Sequence, residues 1–289
     1  MDATLAIVGG SGLYDIPGLD GTWTEVETPW GAPSDAVLDG RIGASRMLFL
    51  PRHGRGHAEA PDTVPYRANV AALKMLGATH LVSVSATGSF REAMAPGDVV
   101  IVDQFIDRTR GRPASFFGAG CVAHVALAEP VCATLAAACA AAARTSGATV
   151  HDGGTYLAME GPQFSTAAES RLYRDVWGCD VIGMTNMPEA RLAREAELHY
   201  ATIAMVTDYD SWHPTHGAVD VAAIREVLAR NAELARATVA ALPDRLRDAV
   251  GASCATGCAT ALDHAIVTAP EARDPARVEM LRHVAGRAL

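Results

Sequence analysis

YATIAMVTDYDSW, residues Tyr200 to Trp212, is the stretch from which the fold of this chain can be read. From Tyr200 to Val206 every residue is apolar or β-branched, with the length and make-up of a buried strand. The run then ends in two aspartates around a single tyrosine. Carboxylates rarely lie beside a core unless something pairs with them. A helical pattern starts at Val221, and Asp is a favoured N-cap, but capping would employ only one of the pair. Asp208 and Asp210 therefore read as functional groups at the carboxyl end of a strand that feeds a helix.

The same unit recurs along the chain. Candidate strands are Thr4 to Val8, Arg46 to Leu50, His80 to Ser85, Val99 to Val102, Asp180 to Gly183 and Tyr200 to Val206. Candidate helices are Tyr66 to Leu76, Glu129 to Thr145, Ala167 to Trp177, Pro188 to Glu197 and Val221 to Leu242. The alanine-rich stretch Ala133 to Arg144 belongs to the second of these helices, because alanine is the best helix former. Val227, Leu228, Ala232, Ala235 and Val239 keep one apolar face on the last helix. Alternation of this kind predicts an α/β fold with a twisted mixed central sheet flanked by helices. With 289 residues, 49% of them hydrophobic, one domain spanning 1–289 is expected.

In such sheets, sites gather at the carboxyl ends of strands. Three polar turns begin where apolar runs stop: Gly9-Gly10-Ser11-Gly12 after Val8, Pro51-Arg52-His53-Gly54 after Leu50, and Ser85-Ala86-Thr87-Gly88 after Val84. Two supply hydroxyls and amides, and the third supplies Arg52 and His53. That set suits an oxyanion such as phosphate. The first turn lacks both the GxGxxG spacing and the GxxxxGK[ST] pattern, so neither a dinucleotide nor a nucleoside-triphosphate loop is indicated. Phe164, in Glu160-Gly-Pro-Gln-Phe164, and Met184-Thr185, after Val181-Ile182-Gly183, stand at further breaks in regular structure.

Composition excludes several classes of function. A net charge of -9 without a Lys/Arg-rich segment leaves no electrostatic source of affinity for nucleic acid. Apolar runs are strand-length, so no membrane partner is expected. The N-terminus lacks the basic region and small-residue cleavage site of a signal peptide, which makes the cytoplasm the expected location. Six scattered cysteines argue against a disulfide scaffold. Cys254-Ala-Thr-Gly-Cys258 fits a local disulfide, a metal corner or coincidence. A metal would want further ligands that the spacing does not supply, and none is expected.

Taken in order, GGSGLYD, ETPWGAPSD, PRHGRGH, VPYRAN, GSFREAMAPGDVVIVDQFIDRT, MEGPQFST, AES, GMTNMPEA and TDYDSW resemble the trimeric purine nucleoside phosphorylases. Within that family they look like the 5′-methylthioadenosine phosphorylase branch. The resemblance runs from about residue 4 to about residue 240. It implies a pentosyltransferase of purine and methionine salvage. Inorganic phosphate attacks the anomeric carbon of 5′-deoxy-5′-methylthioadenosine, giving adenine and 5-methylthioribose 1-phosphate, with no metal or organic cofactor. Ser11, Arg52, His53, Ser85 and Ala86 would hold phosphate. Met184, Thr185 and Thr207 would meet ribose and base, and Phe164 would pack on the base. Asp208 would share a proton with purine N7, with its pKa raised by burial, and Asp210 would accept from the exocyclic amine. His124 would reach a neighbouring subunit's site, implying a homotrimer or a dimer of trimers. Residues 243–289, which resemble only bacterial and archaeal members, would close over the site. Two alternatives stay open: a purine nucleoside phosphorylase of broader or 6-oxopurine specificity, and a nucleosidase that uses water in place of phosphate.

Overall fold

The computed structural model describes residues 3–10, 12–214, 221–249 and 254–289, with side chains of the helix at 221–249 described for 226–247. The first strands are β1 (Leu5–Gly9), β2 (Asp20–Thr24), β3 (Val37–Ile42) and β4 (Ser45–Pro51), followed by helix α1 (Tyr66–Met75). Next come β5 (His80–Ser89), β6 (Val99–Ile101), β7 (Gln104–Asp107), α2 (Ala133–Thr145), β8 (Val150–Asp152) and β9 (Thr155–Ala158). The remainder is α3 (Ala167–Arg171), β10 (Val181–Gly183), α4 (Asn186–Glu195), β11 (His199–Asp208), α5 (Val221–Ala249) and α6 (Pro275–Ala285). The described strands form one mixed sheet in a single α/β domain, as the alternation predicts.

The sheet's centre is parallel: β1 lies between β4 and β5, and β11 pairs in parallel with the other edge of β5. Strands buried on both faces must be apolar throughout, and alternate residues feed two separate cores. Ala6, Val8, Leu81, Ala204 and Val206 pack towards α1, α4 and α6. Leu5, Ile7, Val82, Ile203 and Met205 pack towards α2 and α5. The result is a helix–sheet–helix sandwich.

The pairing of β5 explains where a site can open. β1 and β11 both pair with residues 80–84, so they occupy opposite edges of β5. β10 and β11 both pair with Gly88, so β10 shares the edge used by β1. On that edge β1 stops at Val84 and β10 starts at Gly88. Ser85, Ala86 and Thr87 therefore have no strand neighbour there, and backbone polar groups are offered to whatever fills the gap.

Several elements differ from the sequence reading. The strand expected to stop at Ser85 continues to Ser89, because β11 pairs alongside the small polar residues that read as a turn. The helix expected from Glu129 starts at Ala133, after Pro130. The helix expected over 167–177 is α-helical only to Arg171, and Leu172–Val176 forms a π-turn. In α4, Met187 is extended at φ -119°, ψ 130°, so regular helix begins at Pro188 as expected, but it ends at Glu195 and not at Glu197. The strands β2, β3, β7, β8 and β9 and the helix α6 were not anticipated. Most of those strands have three to five residues, too few to show a period of two. The described part of the C-terminal segment packs at the amino end of β11. Leu262 N donates to Glu197 Oε1 at 3.0 Å, and Arg287 pairs with the same carboxylate. Among the described residues no helix is long and apolar enough to cross a membrane.

Candidate active site

A cavity of about 370 Å³ lies where β1, β4, β5 and β11 end, a size ordinary for small-ligand sites. Arg52, His53, Ser85, Ala86, Phe164, Met184, Thr185, Thr207, Asp208 and Asp210 all line it. Ser11 lies outside the described residues, although its neighbour Gly10 lines the cavity. His124 is exposed and does not line the cavity of its own chain; its backbone N donates to Ala265 O. No lining residue comes from 254–289.

The Arg52 side chain is almost fully occupied by the protein. Its Nε donates to Glu189 Oε2 at 3.1 Å, Nη1 to Val84 O at 3.2 Å, and Nη2 to Val8 O at 3.1 Å and Ser83 Oγ at 2.6 Å. A guanidinium has five N–H donors, so one Nη1 hydrogen is left for a ligand. The free fork expected from the sequence is thus mostly a brace joining β1, β4, β5 and α4. Asn186 extends this buried network. Its Oδ1 accepts from Ser85 Oγ at 3.1 Å, and its Nδ2 donates to Tyr200 Oη at 2.9 Å. Tyr200 Oη in turn donates to Glu189 Oε1.

His53 is buried, with Nδ1 2.9 Å from Glu59 O. A carbonyl can only accept, so Nδ1 carries the hydrogen and the neutral ring presents Nε2 as an acceptor. Burial, with help from the Arg52 charge, pushes this imidazole down to about 4. At neutral pH His53 is therefore matched to a ligand oxygen that brings its own hydrogen, as monohydrogen phosphate does.

At the other wall the chain bends sharply through the aspartates. A bulge interrupts β11 between Val206 and Asp208. Asp208 Oδ2 accepts from Thr207 Oγ1 at 2.7 Å, and Oδ1 accepts from Asp210 N at 2.8 Å. Asp210 is in the left-handed region at φ 50°, a conformation Asp tolerates better than most residues. Trp212 Nε1 donates to Ser89 O at 2.7 Å and Ser211 Oγ to Ser165 O at 2.9 Å, which fastens the turn to β5 and to the loop carrying Phe164. The deep burial expected of Asp208 belongs to Asp210. Asp208 is half-buried, whereas Asp210 is 5% exposed and its Oδ2 has no hydrogen-bond partner. Burial pushes the Asp210 carboxyl up and the neighbouring Asp208 adds to the effect, while Ser170, the Ser211 amide and Ser165 oppose it.

Some of the lining was not anticipated. Thr87 Oγ1 is buried without a partner at the gap in β5. It stands within the polar run Ser85–Gly88 already noted, but only pairing geometry distinguishes it from its neighbours. Gly88 is required beside Asp208: a Cβ there would sit 2.9 Å from Asp208 Oδ1 and 3.1 Å from Ile182 Cγ2. Leu228, Asn231, Ala232 and Ala235 of α5 form an apolar wall with one amide. Their apolar periodicity was legible, but not that part of this face turns to a cavity. Asn231 Nδ2 donates to Val206 O at 2.9 Å, tying that wall to the strand before the aspartates.

Comparison with known proteins gives a consistent set of relatives. Residues 4–242 match the model of the phosphorylase superfamily. An S-methyl-5′-thioadenosine phosphorylase of Cereibacter sphaeroides is 64% identical over 100% of this chain and 99% of its own. One of Bradyrhizobium diazoefficiens is 55% identical over 99% and 98%. A crystal structure of a methylthioadenosine phosphorylase sourced from an antarctic soil metagenomic library is 44% identical. It covers 98% of this chain and 99% of its own with a TM-score of 0.91. The methylthioadenosine phosphorylase of Schistosoma mansoni in complex with adenine is 36% identical over 86% and 93%, with a TM-score of 0.79.

Proposed function

The chain belongs to the phosphorylase superfamily, and we propose from that premise how its cavity works as a methylthioadenosine phosphorylase. The protein catalyses phosphorolysis of 5′-deoxy-5′-methylthioadenosine to adenine and 5-methylthioribose 1-phosphate. It is a pentosyltransferase of purine and methionine salvage. What supports this most directly in the site is a juxtaposition: the Arg52–His53 turn and the Asp208/Asp210 pair line one cavity, with Asp210 Oδ2 and Thr87 Oγ1 buried and unpartnered.

Phosphate binds at Ser11, Arg52, His53, Ser85 and the edge of β5 at Ala86. One Arg52 hydrogen meets an oxygen, and His53 Nε2 accepts the hydrogen of monohydrogen phosphate. The attacking oxygen forms its bond to the anomeric carbon as the bond to purine N9 breaks. Electrons move into the purine, and Asp208 shares a proton at N7, which improves the leaving group. Asp210 accepts from the 6-amino group and is repelled by a 6-oxo group. Phe164, exposed at the cavity mouth, packs on the base. Met184, Thr185 and Thr207 contact ribose and base, and the apolar wall of α5 suits an uncharged thioether. No cofactor takes part.

The assembly is a homotrimer, alone or doubled, in which exposed His124 extends to a neighbouring site, and the protein works in the cytoplasm. Its partners are the nucleoside and phosphate. Purified protein incubated with methylthioadenosine should release adenine and 5-methylthioribose 1-phosphate only when phosphate is added. Adenine and free methylthioribose formed without phosphate would instead identify a nucleosidase. Light scattering should return a multiple of three chains.

A further inference from the structure

At the amino end of β11, away from the aspartates, four side chains from distant parts of the chain converge. Cys132 immediately precedes α2, His199 is the first residue of β11, and Cys254 and Cys258 flank the Cys-Ala-Thr-Gly-Cys turn. Their sulfur and nitrogen atoms all lie within 4.8 Å of one another. Cys132 Sγ is 3.3 Å from His199 Nδ1 and 3.7 Å from Cys254 Sγ. All three thiols are free. The two ligands that sequence spacing does not provide come from the start of a helix and the start of a strand.

We propose that Cys132, His199, Cys254 and Cys258 form a structural zinc site that anchors residues 254–289 to the sheet. Zinc bonds of about 2.3 Å to sulfur and about 2.0–2.1 Å to nitrogen require tetrahedral edges of about 3.8 Å between sulfurs and about 3.6 Å between sulfur and nitrogen. The sulfur–sulfur edge of 3.7 Å agrees with the first, and the sulfur–nitrogen edge of 3.3 Å is somewhat shorter than the second. Three thiolates and an imidazole form a soft donor set that selects zinc over magnesium or calcium. Four protein ligands also close the coordination sphere, which distinguishes a structural from a catalytic ion. Cys254 and Cys258, with three residues between them, have the spacing of a zinc-binding turn. Gly257, at φ 61°, reverses the chain there, with its N donating to Cys254 O at 3.0 Å.

The surroundings complete such a site. Thr256 Oγ1 lies 3.1 Å from Cys254 Sγ and 3.2 Å from Cys258 Sγ, so its single hydrogen can support one thiolate. Three thiolates and one zinc ion leave a net charge of about -1. The Arg194 guanidinium, bonded to the carbonyls of Thr256 and Glu129, places a cation beside it. On binding, the three thiols give their protons to solvent and His199 coordinates as the neutral ring. The span of β11, about 30 Å for ten residues, separates this ion from Asp208, so it takes no part in phosphorolysis. Beyond Cys258 the chain pairs with the central part of the sequence, Val267 N donating to Val122 O and His124 N to Ala265 O. The ion fixes the start of that segment.

The full chain, purified under reducing conditions from zinc-supplemented medium, should carry about one zinc per chain by mass spectrometry. Cys258→Ser and His199→Ala should each reduce this below about one tenth, while Cys179→Ala, which alters a buried cysteine outside the cluster, should retain it. Cobalt added to the metal-free chain should give the sulfur-to-cobalt charge-transfer bands of a tetrahedral thiolate centre, absent in Cys258→Ser. Zinc should raise the melting temperature by about 5–10 °C if it binds only the folded chain. If the variants fail to fold, alkylation of the wild-type chain decides: zinc should protect half-buried Cys254 and a chelator should expose it. Wild-type protein with less than one zinc in ten chains, a disulfide within the cluster under these conditions, zinc retained by Cys258→Ser, or Cys254 labelling indifferent to zinc would each overturn the proposal.

Discussion

Asp208 and Asp210 are two residues apart, yet they occupy different surroundings. Asp208 accepts from Thr207 Oγ1 and from the Asp210 amide, which aims its carboxylate and uses up one acceptor position on each oxygen. Asp210 is more deeply buried and keeps Oδ2 free of any partner. In the proposed roles, Asp208→Asn removes the proton-sharing group at N7. Turnover of methylthioadenosine should fall by at least about a hundredfold, the usual scale for general acid catalysis, as followed by adenine release. Asp210→Asn keeps a side chain that tolerates the left-handed backbone and adds an amide donor. Relative kcat/KM should move from methylthioadenosine towards inosine, and an unchanged ratio would exclude Asp210 from base selection. Acid should act in the same direction on the wild type. The Asp210 carboxyl is raised by burial, so on lowering the pH it protonates earlier than an ordinary aspartate and can then donate to a 6-oxo group. Sequence reading identified this pair because two carboxylates after an apolar run are costly without a purpose. It could not rank them by burial, because that depends on Gly88, Ile182 and the serines packed around the turn.

Between elements, the site depends on a gap and a brace. The gap is the unpaired edge of β5 from Ser85 to Thr87, and Gly88 at its far end lets Asp208 approach the strand. Gly88→Ala would force a methyl within 2.9 Å of Asp208 Oδ1. It should lower kcat by about tenfold or more through misplacement of the proposed acid, with little change in far-ultraviolet circular dichroism. The brace is Arg52–Glu189, a pair with side chains 1% and 3% exposed that joins the end of β4 to α4. Glu189→Gln leaves the guanidinium charge buried without its counter-ion, which costs about 3–5 kcal/mol and should appear as a lower urea midpoint. Sequence reading took Arg52 for a phosphate fork because an Arg-His turn after a strand carries the right donors. That four of its five hydrogens serve the protein is decided by carbonyls of β1 and β5, the Ser83 hydroxyl and a carboxylate far along the chain. Long apolar elements such as β11 and α5 were legible for the converse reason: their burial pattern is written in consecutive residues.

For the molecule as a whole, a buried neutral histidine links stability to pH. His53 is held at about 4 by burial and the Arg52 charge. Its unfolded form takes up a proton near the ordinary value of 6.5. The unfolded chain therefore binds more protons between pH 6.5 and 4, and stability present above that window is lost as pH falls through it. For His53 alone this amounts to about 3 kcal/mol. Denaturant midpoints measured across that range should decline, and His53→Gln should flatten part of the decline. A midpoint that rises on acidification would show that raised carboxyls such as Asp210 and Glu195 govern this range instead. By itself, the sequence determined the α/β class, the apolar core strands and the polar turns at their carboxyl ends, because each is encoded in the order of neighbouring residues. Only the tertiary structure decided that Asp210 is the deeper carboxyl, that Arg52 braces the sheet, and that Cys132 and His199 complete the set begun by Cys254 and Cys258. Those outcomes depend on groups far apart in the chain sharing one small volume, and local periodicity carries no record of them.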